Sequence, residues 1–177
     1  MNENGNAAII ERLELHKKWL YREDGGIKLE EHGADLCGAD LSRTDLSETN
    51  LSGANLSWTK TDNALFMRLQ CPEEGAFIAW KRCGSHIVKL QVTETAKRSS
   101  ATSRKCRCSE ALVLDIQNED GSPSGLTEIK SNYDPSFIYR VGEIARVDDF
   151  NENRWDECSA GIHFFITREE AVNYIWI

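Results

Sequence analysis

Leucine recurs at every fifth position between residues 36 and 56, and this spacing limits what the chain can fold into more than any other feature. Five is the period of neither an α-helix nor a flat strand. Two positions before each leucine stands a small residue, in the pairs Ala34 and Leu36, Ala39 and Leu41, Thr44 and Leu46, Thr49 and Leu51, and Ala54 and Leu56. Residues i and i−2 of an extended segment point to the same side, so each pair is predicted to face one interior. A turn after every unit then leaves an outward face of Asp35, Asp40, Asp45, Asn50 and Asn55.

The five units carry the signature of a known repeat. They read A-D-L-C-G, A-D-L-S-R, T-D-L-S-E, T-N-L-S-G and A-N-L-S-W, with a degraded sixth unit at residues 59–64, and they resemble the pentapeptide repeats. This resemblance implies a right-handed quadrilateral β-helix with four units per coil and with leucine and alanine stacked inside. Some relatives use long acidic β-helices as mimics of duplex DNA, but this repeat is too short and too weakly acidic for that role.

A repeat of this length cannot stand alone. The five units of the segment 28–65 make little more than one coil, whereas about three stacked repeats are needed to bury a continuous core. We therefore expect residues 1–27 to cover one end, and the following domain or a second copy of the chain to cover the other. The exposed repeat surface also leads us to expect a homo-oligomer.

Residues 1–27 are predicted to form an N-terminal amphipathic helix. Asn6 is the expected N-cap, and Gly25 and Gly26 are expected to end the helix. Its inward face is predicted to comprise Ile9, Leu13, His16 and Leu20.

The composition indicates a globular protein outside the membrane. The 177 residues are 40% hydrophobic and 28% charged, which is typical of one domain with a core plus an appendage. No apolar run approaches the ~20 residues of a membrane span, and no signal peptide is recognised, so we expect a cytoplasmic protein. Its six cysteines are then expected to be reduced. A formal charge of −8 argues against general nucleic-acid binding.

Residues 66–177 are predicted to form an α+β domain with a mostly antiparallel sheet. Segments 77–83 and 86–92 flank Gly84 and Ser85, which is a strong signal for a β-hairpin with a two-residue turn. Segment 111–117 is the expected central strand. Shorter strands are predicted within residues 126–131, 137–141, 143–147 and 161–166.

A short helix is predicted to close the chain. Thr167 is its expected N-cap, and Glu170 completes a capping box. Ala171, Tyr174 and Ile175 are expected to face inward.

Residues 66–177 also resemble a known domain. The segments FIAWK, IVKLQV, AKRSSATSRKCRC, YDPSFIYRVGEI and NRWDECSAGIHFFITREEAVNY are similar to an uncharacterised domain found behind short pentapeptide repeats in bacteriophage and bacterial proteins. The resemblance implies a phage or prophage origin, and it implies no activity.

The segment KRSSATSRKCRC, residues 97–108, is the one concentrated basic region of an acidic chain. Guanidinium groups among hydroxyls suit a phosphate, a nucleotide or an acidic protein surface, although a solvated basic loop explains the same residues. The predicted binding residues are Lys97, Arg98, Arg104, Lys105 and Arg107, with Trp155 and His163 as neighbours. Trp58 and Trp80 are expected to be packing residues. Replacing Arg98 and Arg104 by Glu is expected to abolish binding with little change in melting temperature.

The sequence also suggests three alternative sites: a zinc site, a cysteine nucleophile and a dinucleotide cleft. The ligands available for a zinc site are Cys83, His86, Cys106, Cys108, Cys158 and His163, but paired CxxC spacing is missing and we expect no metal. Cys158 and His163, with Asp156 or Glu157, are the elements of a cysteine nucleophile. The segment from Gly161 to Tyr174 is distantly similar to the closing segment of ADP-ribosyltransferase-like folds, which implies a dinucleotide cleft at Tyr139, Arg140 and residues 99–103, with Glu169 or Glu170 orienting a ribose.

The interpretation that these features favour is a non-enzymatic binding protein of phage type, without a cofactor. Its expected partner is a host protein or a small phosphorylated or nucleotide ligand, and interference with host defence is one extension. The alternative is a nucleotide-binding or ADP-ribosyltransferase-like C-terminal domain.

Overall fold

The structure is a computed structural model, and it describes residues 3–101 and 103–174. The described residues form helices α1 (Glu3–Leu20) and α2 (Arg168–Asn173) and strands β1 (Phe77–Cys83), β2 (His86–Val92), β3 (Arg98–Ser100), β4 (Cys106–Cys108), β5 (Glu110–Asn118), β6 (Glu128–Lys130), β7 (Ile138–Arg140), β8 (Ile144–Arg146) and β9 (Ile162–Phe164). Every pairing between these strands is antiparallel, so the α+β class with a mostly antiparallel sheet is confirmed. No helix among the described residues is long and apolar enough to cross a bilayer.

The chain divides into two compact units. The first comprises Met1–Leu69, Ala101–Ser103 and Asn153–Asp156, and the second comprises Gln70–Ser100, Arg104–Glu152 and Glu157–Ile177.

Helix α1 differs from its prediction at both ends. It begins at Glu3, so the backbone of Asn6 is already helical and the expected N-cap is wrong. It ends through Arg22, whose φ of 56° lies in the left-handed region, while the amide of Glu23 donates to the carbonyl of Lys18 at 2.9 Å. This is the hydrogen-bond pattern of a Schellman cap, and it stops the helix before the two glycines.

His16 joins α1 to the repeat inside the first unit. Its imidazole is fully buried, its Nδ1 accepts the amide of Leu29 at 3.1 Å, and its Nε2 donates to the carbonyl of Ser47 at 2.9 Å. Burial lowers the pKa of the ring, and the bond from Leu29 requires a neutral Nδ1. His16 is therefore a structural, uncharged residue of the apolar face.

The repeat brings the chain back beside itself every twenty residues. Four parallel bridges join Glu30 to Asn50, Asp35 to Asn55, Asp40 to Lys60, and Asp45 to Leu65. The inward prediction holds for the leucines at positions 36, 41, 46 and 51, which are at most 3% exposed. The outward residues also have a role that the period did not indicate: Asp35, Asp40, Asp45, Asn50 and Asn55 each accept the amide two residues on. These Asx turns supply the corners that the period requires.

Trp58 contradicts its predicted packing role. Its side chain is 90% exposed, and its φ is 58°. It occupies the last position of its five-residue unit, where the turn directs the side chain to solvent.

The second unit contains three small sheets. The first has the order β1-β2-β5-β8, which confirms the hairpin at Gly84 and Ser85 and places β5 inside the sheet. The second has the order β3-β4-β9, and the third pairs β6 with β7. The segment 97–108, expected as a loop, is therefore a hairpin in which β4 is a central strand. Every residue of β4 is buried, and alternation alone does not predict such a strand.

Helix α2 confirms the predicted capping box. The hydroxyl of Thr167 accepts the amide of Glu170, and the carboxylate of Glu170 accepts the amide of Thr167. Ala171 is fully buried and the ring of Tyr174 packs on Phe165 with centroids 5.0 Å apart. Ile175 lies outside the described residues.

Candidate functional site

The second unit contains a cavity of about 490 Å³. This volume lies in the range of small-molecule sites, which is roughly 300–1,000 Å³. Its apolar walls come from Phe137, Tyr139, Ile162, Phe165 and Tyr174, and its charged and polar lining includes Lys81, Arg82, Lys105, Asp134, Asp149, Cys158 and His163. Asp134, Asp149 and Cys158 are exposed, whereas Lys105 and His163 are half-buried.

Strand β1 carries Lys81 into this cavity. Its neighbours two residues away on the same strand face, Ala79 and Cys83, are at most 1% exposed. The amine of Lys81 donates to the carbonyl of His163 at 3.3 Å and lies 5.8 Å from the ring centroid of Tyr139. Among the described residues no carboxylate forms an ion pair with it. A lysine is thus placed on the buried face of a strand without a counter-ion.

The surroundings of Lys81 disfavour charge. Burial raises the pKa of the Cys83 thiol to about 11 and that of the Cys108 thiol to about 12, so both thiols are neutral at pH 7. Burial also holds the pKa of Tyr139 well above its ordinary value. Desolvation lowers the pKa of Lys81, and the positive charge of Lys105 lowers it further. The amine therefore has neutral groups and a like charge around it.

Lys105 and His163 complete the polar side of the cavity, and both were predicted binding residues. The Lys105 amine lies 3.7 Å from the Cys158 sulfur. The Nε2 of His163 donates to the carbonyl of Glu157 at 2.9 Å. Burial lowers the pKa of His163 to about 4, so the ring is neutral at pH 7.

Two predicted binding residues are used inside the fold. The guanidinium of Arg98 donates to the carbonyls of Pro72 at 3.0 Å and Thr93 at 2.9 Å, and it lies 5.2 Å from the centroid of Phe77. Because it holds backbone in place, replacing Arg98 by Glu is expected to destabilise the domain, contrary to the expectation of an unchanged melting temperature.

Arg107 is even more deeply internal. It is 2% exposed, and it donates to the carbonyls of Asn151 at 2.9 Å and Ala160 at 2.8 Å. Its guanidinium lies 5.4 Å from the centroid of Phe150. Arg107 therefore fastens the segment before β9 to the sheet.

The remaining predicted binding residues do not line the cavity. Lys97 forms an exposed ion pair with Glu152, and Arg104 forms one with Glu170 at 2.6 Å. Trp155 belongs to the first unit, where it packs against the leucine cluster of the repeat.

The structure also places the residues considered for a zinc site, a cysteine nucleophile and a dinucleotide cleft. All six cysteines lie among the described residues and none forms a disulfide, and in that part of the chain no group of three or more His, Cys, Asp or Glu side chains is arranged to hold a metal ion. Cys158 and His163 both line the cavity. Of the proposed dinucleotide cleft, Ser99 and Ser100 are at most 3% exposed, Arg140 pairs with Glu128 and Thr102 lies outside the described residues.

The comparisons with known proteins bear on both parts of the chain. Residues 32–66 match the pentapeptide repeats, described as eight copies, and the predicted repeat is thereby confirmed. Residues 67–171, which hold the whole described cavity apart from Tyr174, match a family of unknown function, DUF5758. The chain belongs to that family. No curated protein and no solved structure matches it significantly.

The neutral His163 of the DUF5758 domain predicts a pH-dependent stability. Its pKa is about 4 in the folded state against 6.5 in the unfolded chain, so its contribution is complete above pH 6.5 and is lost as the pH falls towards 4. After a discount for the partial exposure of the ring, this pKa difference corresponds to roughly 2 kcal/mol in the free energy of unfolding. Relative to His163→Gln, which keeps an N–H donor but does not titrate, the wild-type protein is expected to lose this amount between pH 7 and pH 4 in urea unfolding. An equal loss in both proteins would contradict it.

Proposed function

We propose that the DUF5758 domain is a non-enzymatic binding module whose cavity holds a small anionic ligand, such as a signal molecule or another phosphorylated compound. The observation that carries this proposal is the presence of Lys81 and Lys105 in one cavity. The positive charge of Lys105 lowers the pKa of Lys81, because like charges in a partly desolvated space repel. An anionic group bound beside them relieves that repulsion.

The rest of the cavity supports a ligand with a flat apolar part. Phe137 and Tyr139 form one aromatic wall, with ring centroids 5.1 Å apart, and Phe165 and Tyr174 form another, with centroids 5.0 Å apart. Aromatic walls with a few convergent polar groups are typical of sites that bind small organic molecules. The ligand class that fits is therefore a compact phosphate or carboxylate with an apolar or aromatic portion.

The setting of this binding module is part of the proposal. We propose that the protein acts in the cytoplasm of a bacterial host cell as a phage-type protein, that it acts on a host protein or on a host signal molecule to counter defence, and that it forms a homo-oligomer. The exposed Trp58 and the 54% exposed Leu65 at the end of the repeat support self-association.

We also propose that residues 28–65 form a short right-handed quadrilateral β-helix of just under two coils. The support is the regular return of the chain after twenty residues, which equals four five-residue units. In this arrangement the repeat is a scaffold, and the ligand site belongs to the DUF5758 domain.

Binding of an anionic ligand is tested with defined probes. Adenosine monophosphate and pyridoxal 5′-phosphate are added to the wild-type protein while its melting temperature is followed, together with native mass spectrometry of gently purified protein. We expect at least one probe to raise the melting temperature or a bound mass that is released on denaturation, because a ligand that prefers the folded state stabilises it. Lys105→Gln is expected to weaken this binding about tenfold or more, through loss of one charge-assisted contact.

Lys97→Gln is the matched control. Lys97 lies just before β3 on the same hairpin, but its ion pair with Glu152 is exposed and outside the cavity. Removing it takes away the same charge from the protein and should leave binding unchanged. Equal losses for Lys97→Gln and Lys105→Gln, or no bound mass and no thermal shift with either probe, would refute the proposed site.

A further inference from the structure

The amine of Lys81 has the setting of a nucleophile. A lysine amine reacts with carbonyl groups only when it is uncharged, and apolar pockets or neighbouring cations make it so. Lys81 is half-buried and faces a cavity large enough for an organic molecule, and within the part of the chain that the structure describes its amine donates one hydrogen bond, to a backbone carbonyl at 3.3 Å. A backbone carbonyl accepts a hydrogen bond from an ammonium or from a neutral amine alike. This contact therefore leaves the lone pair of a neutral Lys81 amine available for reaction.

We propose that Lys81 captures carbonyl-bearing anionic ligands covalently, as an imine. This inference rests on the proposed function, and it narrows the ligand class to aldehydes or ketones that also carry a carboxylate or a phosphate. The anionic group pairs with Lys105, and the carbonyl carbon meets the amine of Lys81. The two lysines thus have different roles, one as an anchor and one as the point of attachment.

The groups that face Lys81 from each neighbouring element disfavour the charged form of its amine. Cys83 on its own strand and Cys108 on β4 present protonated thiols, and Tyr139 on β7 presents a protonated phenol. The charged groups that share the cavity are Lys105, Arg82, Asp134 and Asp149. Arg82 pairs with Glu119, whereas Asp134 is held in an Asx turn by Ser136 and both aspartates are exposed.

The step balances without an oxidant or a metal. The lone pair of the neutral amine adds to the carbonyl carbon, forming a C–N bond while the C=O π electrons move to oxygen. The nitrogen then loses its protons and the oxygen leaves as water, which gives an imine. The reverse reaction with water releases the ligand, so the capture is reversible and consumes nothing.

The capture is tested by reductive trapping. The wild-type protein is incubated with pyruvate and sodium cyanoborohydride, which delivers hydride to an imine carbon and leaves a stable secondary amine. Intact-mass analysis and peptide mapping are expected to show one reduced pyruvate unit on Lys81 and at least tenfold less on Lys89. Lys89 is the matched comparison, since it is also a half-buried strand lysine beside an aromatic ring, with its amine 5.6 Å from the Trp80 centroid.

Two further experiments separate the role of the Lys81 amine from that of the Lys105 anchor. Lys105→Gln is expected to lower trapping of pyruvate about tenfold more than trapping of the uncharged ketone dihydroxyacetone, because losing the Lys105 charge raises the pKa of Lys81 for both probes but removes the anionic anchor for pyruvate alone. Trace labelling of the wild-type protein with acetic anhydride across pH 6–10 is expected to show Lys81 reacting at lower pH than Lys89, and it needs no variant that might unfold.

The outcomes distinguish this inference from the proposed function. If the anionic probes stabilise the protein but Lys81 is neither trapped nor labelled ahead of Lys89, covalent capture is overturned and the binding function stands. If Lys105→Gln lowers trapping of pyruvate and of dihydroxyacetone on Lys81 by the same factor, the anionic ligand class is overturned and the nucleophilic amine stands. Adducts spread evenly over the lysines overturn the assignment of Lys81.

Discussion

Replacing Leu46 by alanine is expected to lower the free energy of unfolding by about 3–5 kcal/mol, the upper part of the range for buried leucines. Leu46 is fully buried within the apolar cluster of the first unit, together with Leu41 and Leu51 one repeat away on either side. The cavity left by the missing atoms cannot collapse easily, because Asx turns and parallel bridges fix the backbone at every fifth residue. Urea unfolding followed by circular dichroism measures the change.

Leu65→Ala is the matched control for Leu46→Ala. Leu65 occupies a bridge position of the same repeat, opposite Asp45, but its side chain is 54% exposed. Its removal is expected to cost less than about 1 kcal/mol, whereas Leu46→Met, which nearly conserves volume, is expected to cost less than about 1.5 kcal/mol. Similar losses for Leu46→Ala and Leu65→Ala would mean that the repeat lacks a packed interior.

The repeat was predictable because one physical requirement dominates it. The side of the chain that buries Leu41 and Leu46 follows from the two-residue alternation of extended backbone, and the period of five then demands a turn. The leucines themselves span only residues 36–56, whereas the bridges run from Glu30 to Leu65, inside the bounds 28–65 assigned to the repeat. Backbone pairing does not require a leucine, so it extends beyond the leucine run on both sides.

The ends of α1 show a similar limit. Glycine is the usual residue for a left-handed helix cap, and two glycines follow the helix, so they are the natural choice from sequence. The structure uses Arg22 instead. A single residue in the left-handed conformation costs about 1 kcal/mol, which the two cap hydrogen bonds offset.

The sequence predicts only some of the residues that line the cavity. Charge and residue type indicate Lys105 and His163, but they indicate equally the neighbouring arginines that serve the fold. Residues 97–108 have the composition of a solvent-facing loop, whereas β4 lies between two other strands. A signal for Lys81 was present: in FIAWKRC it shares the strand face of Ala79 and Cys83, so alternation places an ammonium on a buried face.

Replacing Arg107 by methionine is expected to lower the free energy of unfolding of the DUF5758 domain by about 3–5 kcal/mol. Methionine fills much of the space of the arginine stem but leaves the carbonyls of Asn151 and Ala160 without the guanidinium that now donates to them. The Ala160 carbonyl keeps the Asn151 amide as a donor at 3.3 Å, so the cost comes from the lost bonds of the charged guanidinium, about 1.5–3 kcal/mol each, and from the lost contact with the Phe150 ring. Thermal and urea unfolding of the purified variant measure the loss.

Two variants on the same hairpin separate this internal role from a surface charge. Lys97→Met removes an exposed ion pair and is expected to change stability by less than about 0.5 kcal/mol. Arg107→Lys keeps the charge but not the two-pronged geometry, so it should recover only part of the loss, because one ammonium cannot reproduce the guanidinium's directed bonds to both carbonyls and to the Ser99 hydroxyl. If Arg107→Met lowered the free energy of unfolding as little as Lys97→Met, the structural role of the guanidinium would be refuted. The basic segment 97–108 would then again be a candidate ligand-binding surface.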